Sequence, residues 1–327
     1  MAYAQLAGLP AYYGLYASFL PPMVAAIFGS SRQLSTGPVA VVSLMTAASL
    51  EPIAALGSDG FLAYATMLAV MVGVFQLTLG VFRLGVLVDF LSHPVVLGFT
   101  AAGAIIIGTS QLGKLFGITV EKSAHHYETV YHMIQEALTN THWPTLIISV
   151  LSFVLMVGLK KWRPTLPVVL IAVVIATIIS KIMGYADYGG AIVGDIPKGL
   201  PHISIPEFDF EIVMQLATSA VFISLVGFME ANSIAKAMAA RTRNRLDANQ
   251  ELVGQGLSNI TSGLFSGYPV SGSFSRSAVN INAGARTGFS SIITGIVVGI
   301  TLLFLLSLIH ISEPTRLLRR SRMPSSA

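Results

Sequence analysis

The chain contains no cysteine and few charged residues. None of its 327 residues is cysteine, and only 10% are Asp, Glu, Lys or Arg. The missing cysteine excludes a disulfide framework and a thiolate metal site. Soluble domains carry about 25% charged residues, so the low charge and the 54% of hydrophobic residues indicate a polytopic membrane protein. Basic residues occur in short stretches between apolar runs, which argues against nucleic-acid binding.

Apolar runs recur along the whole chain. A membrane-spanning helix needs roughly 20 mostly apolar residues. The candidate segments are 1–9, 12–29, 37–50, 60–82, 86–113, 143–159, 165–183, 212–236, 250–266, 272–284 and 288–309. They predict an all-α polytopic membrane protein with about 11 segments in one transmembrane domain, residues 1–309. The basic stretch 310–327 that follows is predicted to be a non-native tail.

Two of these segments, 37–50 and 272–284, are too short to span a bilayer. Residues typical of turns come before each: Ser35-Thr36-Gly37-Pro38 in one case, Pro269-Val270-Ser271-Gly272 in the other. A proline is well suited to the first turn of a helix, where its missing N–H costs nothing. We interpret both segments as half-helices that start near the middle of the membrane and complete their crossing with extended backbone. Interrupted segments of this kind point to the substrate site of a transporter.

The charges of the connecting segments alternate in sign along the chain. Most Lys and Arg residues fall in every second connection and most Asp and Glu residues in the others. The positive-inside rule then places the basic connections in the cytoplasm and predicts a multi-pass protein of the plasma or inner membrane. Connection 118–142 lies outside on this topology, and its amphipathic spacing predicts a helix on the membrane surface.

Arg276 is the only charged residue between Glu251 and Arg286. An arginine within the membrane marks a substrate or ion site by default, and its guanidinium supplies positive charge and several donors. Ser273, Ser275 and the free N–H groups of a helix start would add donors for an anion. The alternative is that Arg276 reaches the cytoplasmic interface or pairs with a carboxylate.

The first half-helix offers a matching start at Thr36 and Gly37. If the two N-termini face each other, positive potential converges near the midplane; the alternative is an ordinary kinked helix. We therefore predict a substrate-binding site made of Thr36, Gly37, Ser273, Ser275 and Arg276. No catalytic residue and no metal site are predicted.

Glu230 is the only carboxylate between Ile212 and Ala235. Three roles are open to it: counter-charge to Arg276, cation ligand or proton carrier. The alternative is the inner end of a helix, since Lys236 follows closely. We predict a coupling role for Glu230, with Na⁺ or H⁺ as the coupling ion and no other cofactor.

Four stretches of this chain resemble the SulP family of anion transporters, also called the sulfate permease family. They are Met1–Ser18, Phe28–Pro38, Glu230–Lys236 and Ser271–Asn280, and the resemblance covers nearly all of residues 1–309. It implies an inverted-repeat (7+7) fold with a core and a gate domain and an anion site between the third and tenth segments. Ser275 and Arg276 match the family's anion-site positions and Glu230 its acidic position in the eighth segment. It also implies elevator-like movement and a homodimer.

The sequence departs from the family pattern at both ends. Compared with that pattern, we expect the sequence to begin partway through the first segment, to stop after about the eleventh and to lack the cytoplasmic STAS domain. The resemblance implies secondary active transport or exchange of a small anion, such as sulfate, bicarbonate, chloride or a dicarboxylate, and no enzymatic activity. Two alternatives stay open: a nucleobase permease of the same fold, and a membrane fragment that does not transport.

Overall fold

The computed structural model describes residues 1–85, 93–118, 120, 126–163, 166, 168–185, 187–190, 199–206 and 209–305. In chain order the elements are α1 (Ala2–Leu6), α2 (Tyr13–Tyr16), α3 (Leu20–Phe28), β1 (Ser35–Gly37), α4 (Ala40–Leu50), α5 (Asp59–Val81), α6 (His93–Phe116), α7 (His126–Thr139), α8 (Trp143–Trp162), α9 (Val168–Ile182), α10 (Phe210–Thr242), α11 (Ala248–Leu264), β2 (Ser271–Ser273), α12 (Phe274–Asn282) and α13 (Phe289–Ile300), followed by a π-helical turn (Thr301–Leu305). The tail predicted at 310–327 lies outside the described residues.

The helices confirm the predicted all-α membrane class. Within the described ranges, three helices are long and apolar enough to cross a bilayer: α5, α8 and α10. Shorter apolar helices include the half-helix α4 and the pair α2–α3. The predicted segment 12–29 is interrupted, since α2 ends at Tyr16 and α3 begins at Leu20. Pro21 and Pro22 explain the break, because proline fits the first turn of a helix and not its interior.

Chain contacts divide the protein into two compact units. One unit comprises residues 1–97 and 195–327, and the other residues 98–194. The first unit contains both half-helices and a core formed mainly by α1, α4, α5 and α10, in which Phe61, Leu68, Leu216 and Tyr268 are buried. All the predicted substrate-binding residues therefore belong to this unit.

Glycines bring α5 and α11 into close contact in the first unit. A Cβ atom on Gly73 would lie 2.5 Å from the backbone nitrogen of Ile260, and one on Gly256 would lie 2.5 Å from that of Leu77. Gly263 meets α5 in the same way, 2.5 Å from the carbonyl oxygen of Thr66. Small residues permit such backbone approach between membrane helices, where packing drives association. Helix α11 is therefore packed tightly against α5 within this unit.

The second unit is organised around the start of α8. His142 donates its backbone N–H to the carbonyl oxygen of Phe116 at 3.0 Å. Its ring nitrogens lie 2.7 Å from Thr145 Oγ1 and 2.8 Å from the carbonyl oxygen of Tyr188. These contacts tie the end of α6 and the segment after α9 to the beginning of α8. The predicted surface helix corresponds to α7, which ends at Thr139.

Candidate anion site

The two half-helices start from a short pair of antiparallel strands. β1 pairs with β2 so that Ser35 lies opposite Ser273, Thr36 opposite Gly272 and Gly37 opposite Ser271. β1 leads into α4, and β2 leads directly into α12. Because the strands are antiparallel, the two strand–helix units run in opposite directions. The predicted half-helices and the extended backbone before each of them are thereby confirmed. The N-terminal ends of both helices, which carry partial positive charge, flank the strand pair.

Arg276 lies in the first turn of α12 and reaches the other half-helix. Its Nη1 donates a hydrogen bond to the carbonyl oxygen of Pro38 at 3.0 Å. Its Nη2 is buried and has no hydrogen-bond partner among the described residues. The Ser273 side chain caps α12 by accepting from the Arg276 backbone nitrogen at 3.5 Å. The guanidinium therefore keeps one buried donor group available beside two helix N-termini.

Gly37 provides the space next to this donor group. Its φ is +148°, a value that L side chains rarely adopt. A Cβ atom placed on Gly37 would lie only 3.0 Å from Arg276 Nη2. Glycine is needed here both for the backbone conformation and for the close approach of the guanidinium.

The other predicted binding residues differ in where their side chains lie. Ser275 is exposed, and its Oγ lies 3.3 Å from Ser273 Oγ, so both hydroxyls belong to the start of α12. Thr36 is buried, and its Oγ1 accepts from Gln255 Nε2 on α11 at 2.9 Å. The structure thus brings Gly37, Ser273, Ser275 and Arg276 together, whereas the Thr36 side chain is engaged by α11.

Glu230 occupies the middle of α10. Its Oε2 is buried, as is Oδ1 of Asn232 two residues on, and neither oxygen has a hydrogen-bond partner in the part of the chain that the structure describes. Within the same residues, no ion pair joins Glu230 to Arg276. To act as a cation ligand or a proton carrier, two of its predicted roles, Glu230 needs a carboxylate oxygen that is not already hydrogen-bonded. Oε2 meets this condition among the described residues.

A buried polar face on α11 is absent from the predicted site. Glu251, Gln255 and Asn259 recur every four residues along this helix, and all three are buried. Gln255 contacts β1, and Asn259 contacts the backbone just before β2. The four-residue repeat of carboxylate and amide side chains in an apolar segment is the signal in the sequence from which this face is recognisable.

Comparison with known protein families gives one match over almost the whole chain. The model of the Sulfate permease family matches residues 1–313. The chain is 43% identical over 315 residues to the chloroplastic sulfate transporter 4.1 of Arabidopsis thaliana, covering 93% of this chain and 45% of the relative. It is 40% identical over 299 residues to a probable sulfate transporter of Mycobacterium tuberculosis H37Rv, covering 91% of this chain and 53% of that relative. The chain thus spans about half the length of the curated relatives it matches.

Solved structures show the same fold. The murine Solute Carrier 26 family member A9 anion transporter in its inward-facing state superposes with a TM-score of 0.84 at 26% identity, covering 94% of this chain and 54% of that one. The transmembrane domain of the cyanobacterial bicarbonate transporter BicA superposes with a TM-score of 0.80 at 27% identity, covering 94% of this chain and 78% of that one. The chain therefore has the core-and-gate fold of these transmembrane domains. The named relatives are transporters, in agreement with the prediction that the chain is not an enzyme.

Proposed function

We propose that this chain, which belongs to the sulfate permease family, takes part in secondary transport of a small anion that binds between the N-termini of α4 and α12. The observation that carries the proposal is the buried Nη2 of Arg276, which has no hydrogen-bond partner among the described residues. A buried donor left unpaired is costly, and more so on a charged group. An anion beside Gly37 would supply the missing acceptor.

The charge of the site favours an anion over a neutral substrate. Each helix N-terminus carries about half a positive charge, so two of them together with Arg276 contribute about two positive charges. The hydroxyls of Ser273 and Ser275 at the start of α12 offer further polar contacts. This arrangement supports anion transport over the nucleobase alternative, which would use carboxylates at the site.

Sulfate is the first substrate to test. Both curated relatives described above are named as sulfate transporters, and one structural neighbour is named as a bicarbonate transporter. A site with about two positive charges suits a dianion. Bicarbonate, chloride and a dicarboxylate are the competing anions for the same assay.

The proposed mechanism is an elevator-like movement of the unit that carries both half-helices. Glu230 is the proposed coupling residue, with its free Oε2 available to Na⁺ or to H⁺. We further propose a homodimer in the plasma or inner membrane. Cross-linking in membranes tests the dimer, and cell fractionation tests the location against an organellar membrane, since one relative is chloroplastic.

The deciding experiment compares two arginine variants in proteoliposomes. Arg276→Ala should abolish uptake and equilibrium binding of radiolabelled sulfate. Arg286→Ala removes an exposed arginine ten residues further on and should leave both unchanged. Equal sulfate binding by the wild type and by Arg276→Ala would refute the site, and binding without uptake would refute the transport proposal alone.

A further inference from the structure

The polar face of α11 contacts the backbone and side chains on both sides of the half-helix crossing. Glu251 Oε2 accepts the backbone N–H groups of Ser30 and Ser31, at 2.9 and 2.8 Å, in the connection before β1. Gln255 Nε2 donates both to Glu251 Oε1 at 3.0 Å and to Thr36 Oγ1 at 2.9 Å. Both carboxylate oxygens of Glu251 thus accept hydrogen bonds, and the Nε2 side of the Gln255 amide faces Oε1. The hydrogen bond from Gln255 to Thr36 joins β1 to α11.

Asn259 joins the backbone just before the second strand, β2, to α11. Its Oδ1 accepts from the backbone nitrogen of Val270 at 2.8 Å, and its Nδ2 donates to the carbonyl oxygen of Val270 at 3.0 Å. The side-chain amide therefore satisfies both backbone groups of a residue in the interior, as a neighbouring strand would. Nδ2 also donates to Gln76 Oε1 on α5 at 3.0 Å. These hydrogen bonds join the segment before β2 to both α5 and α11.

The two attachment points lie next to the candidate anion site. Thr36 precedes Gly37, Val270 precedes Ser271, and Gly37 and Ser271 lie opposite each other in the strand pair. Arg276 reaches Pro38, the residue after Gly37, with one hydrogen bond. A shift of either strand along α11 would therefore change the distance between Arg276 and the start of α4.

We propose that Gln255 and Asn259 are positioning residues of the anion site, which hold the two half-helix N-termini at the separation that an anion needs. The inference rests on the proposed function, because it concerns the geometry of the same site. Neither side chain has to touch the anion. Their buried amides act through Thr36 and Val270, and thus on Gly37 and Arg276.

Two variants and a matched control test the proposal with sulfate as the probe. Asn259→Asp has the same size and keeps the acceptor for the Val270 nitrogen, but loses the donor to its carbonyl oxygen. Gln255→Met has a similar length and releases Thr36. Ser258→Ala removes another buried hydrogen bond of α11, from Ser258 Oγ to the carbonyl oxygen of Pro21 at 2.9 Å, away from both strands. For each, the sulfate Kd and the melting temperature without anion are measured on purified protein.

The loss of a hydrogen bond to a charged ligand weakens binding about tenfold or more. We expect a change of this size for Asn259→Asp and for Gln255→Met, whereas Ser258→Ala lowers the melting temperature and keeps the wild-type Kd. If the first two variants also lower only the melting temperature, their role is structural and the proposal is overturned. If Asn259→Asp does not fold, Gln255→Met decides alone. A wild-type protein that binds no sulfate overturns the proposed function itself, and the inference with it.

Discussion

Arg276 of one half-helix is hydrogen-bonded to Pro38 at the start of the other, from Nη1 to the carbonyl oxygen at 3.0 Å. The bond joins residues 238 positions apart and uses one edge of the guanidinium. A second nitrogen of the same group, Nη2, is buried without a hydrogen-bond partner among the described residues. A single arginine thus both links the two half-helices and presents charge in the space between them.

Gly37→Ala should weaken anion binding without removing any polar group. The new Cβ would lie 3.0 Å from Arg276 Nη2 and would require a φ of +148°. We expect the sulfate Kd to rise about tenfold, the size of effect produced by losing one charged hydrogen bond. Gly57→Ala is the matched control, since Gly57 also has a positive φ, +72°, but open space around its Cβ position. Equal Kd values for the two variants would contradict the tight approach of Gly37 and Arg276.

Gly73→Ala should destabilise the protein by separating α5 from α11. The added Cβ would meet the backbone nitrogen of Ile260 at 2.5 Å and the carbonyl oxygen of Gly256 at 2.6 Å, and backbone atoms cannot rotate away. Overpacking of this kind costs about 1–3 kcal/mol. Unfolding in detergent measures the change. Gly158→Ala on α8, where no atom other than those of the adjacent helix backbone lies within 4 Å of the added Cβ, should be neutral or stabilising by up to ~1 kcal/mol.

Glu230→Gln should remove the dependence of sulfate uptake on the coupling ion. The substitution keeps the size of the side chain but removes its ability to carry a proton or a full negative charge. We expect uptake by the variant to respond neither to a Na⁺ gradient nor to a H⁺ gradient across the proteoliposome membrane. Glu211→Gln changes an exposed carboxylate in the first turn of the same helix and should behave like the wild type. An unchanged gradient dependence in Glu230→Gln would exclude Glu230 as the coupling residue.

The helix α7 should lie in the lipid–water interface with one exposed apolar stripe toward the lipid. Tyr131, Ile134 and Leu138 are 66%, 55% and 84% exposed and share a face of this helix. The spanning helix α8 begins only four residues after α7 ends, with an exposed Trp143 of the kind found at membrane interfaces. Since the chain has no cysteine, a fluorophore on Leu138→Cys is site-specific.

The fluorescence of the label on Leu138→Cys should be quenched by groups attached to lipid and protected from aqueous iodide. The same label on His132→Cys, an exposed polar position of α7 about 100° around the helix from Tyr131, should show the opposite pattern. Iodide access at both positions would mean that water covers the stripe, and protection of position 138 from both quenchers would mean that another protein surface covers it; either result contradicts the lipid contact.

Local sequence features predicted the membrane class and the half-helices well. The apolar runs locate α5, α8 and α10 to within a few residues, apart from an extension of α10 at its C-terminal end. The turn residues at 35–38 and 269–272 predicted where the crossings become extended, and the structure has β1 and β2 there. Such features depend on hydropathy and on backbone preferences of neighbouring residues, which the sequence records directly.

The sequence by itself determined that this is a membrane protein with two interrupted segments and a single arginine at the start of one of them. Only the tertiary structure decided that Arg276 contacts Pro38, that Gly37 leaves room beside Nη2, and that Thr36 is engaged by Gln255. Each of these contacts joins residues more than 200 positions apart. They arise from the antiparallel pairing of β1 with β2 and from the packing of α11, and residue type or spacing within one segment does not encode which distant segment it will meet.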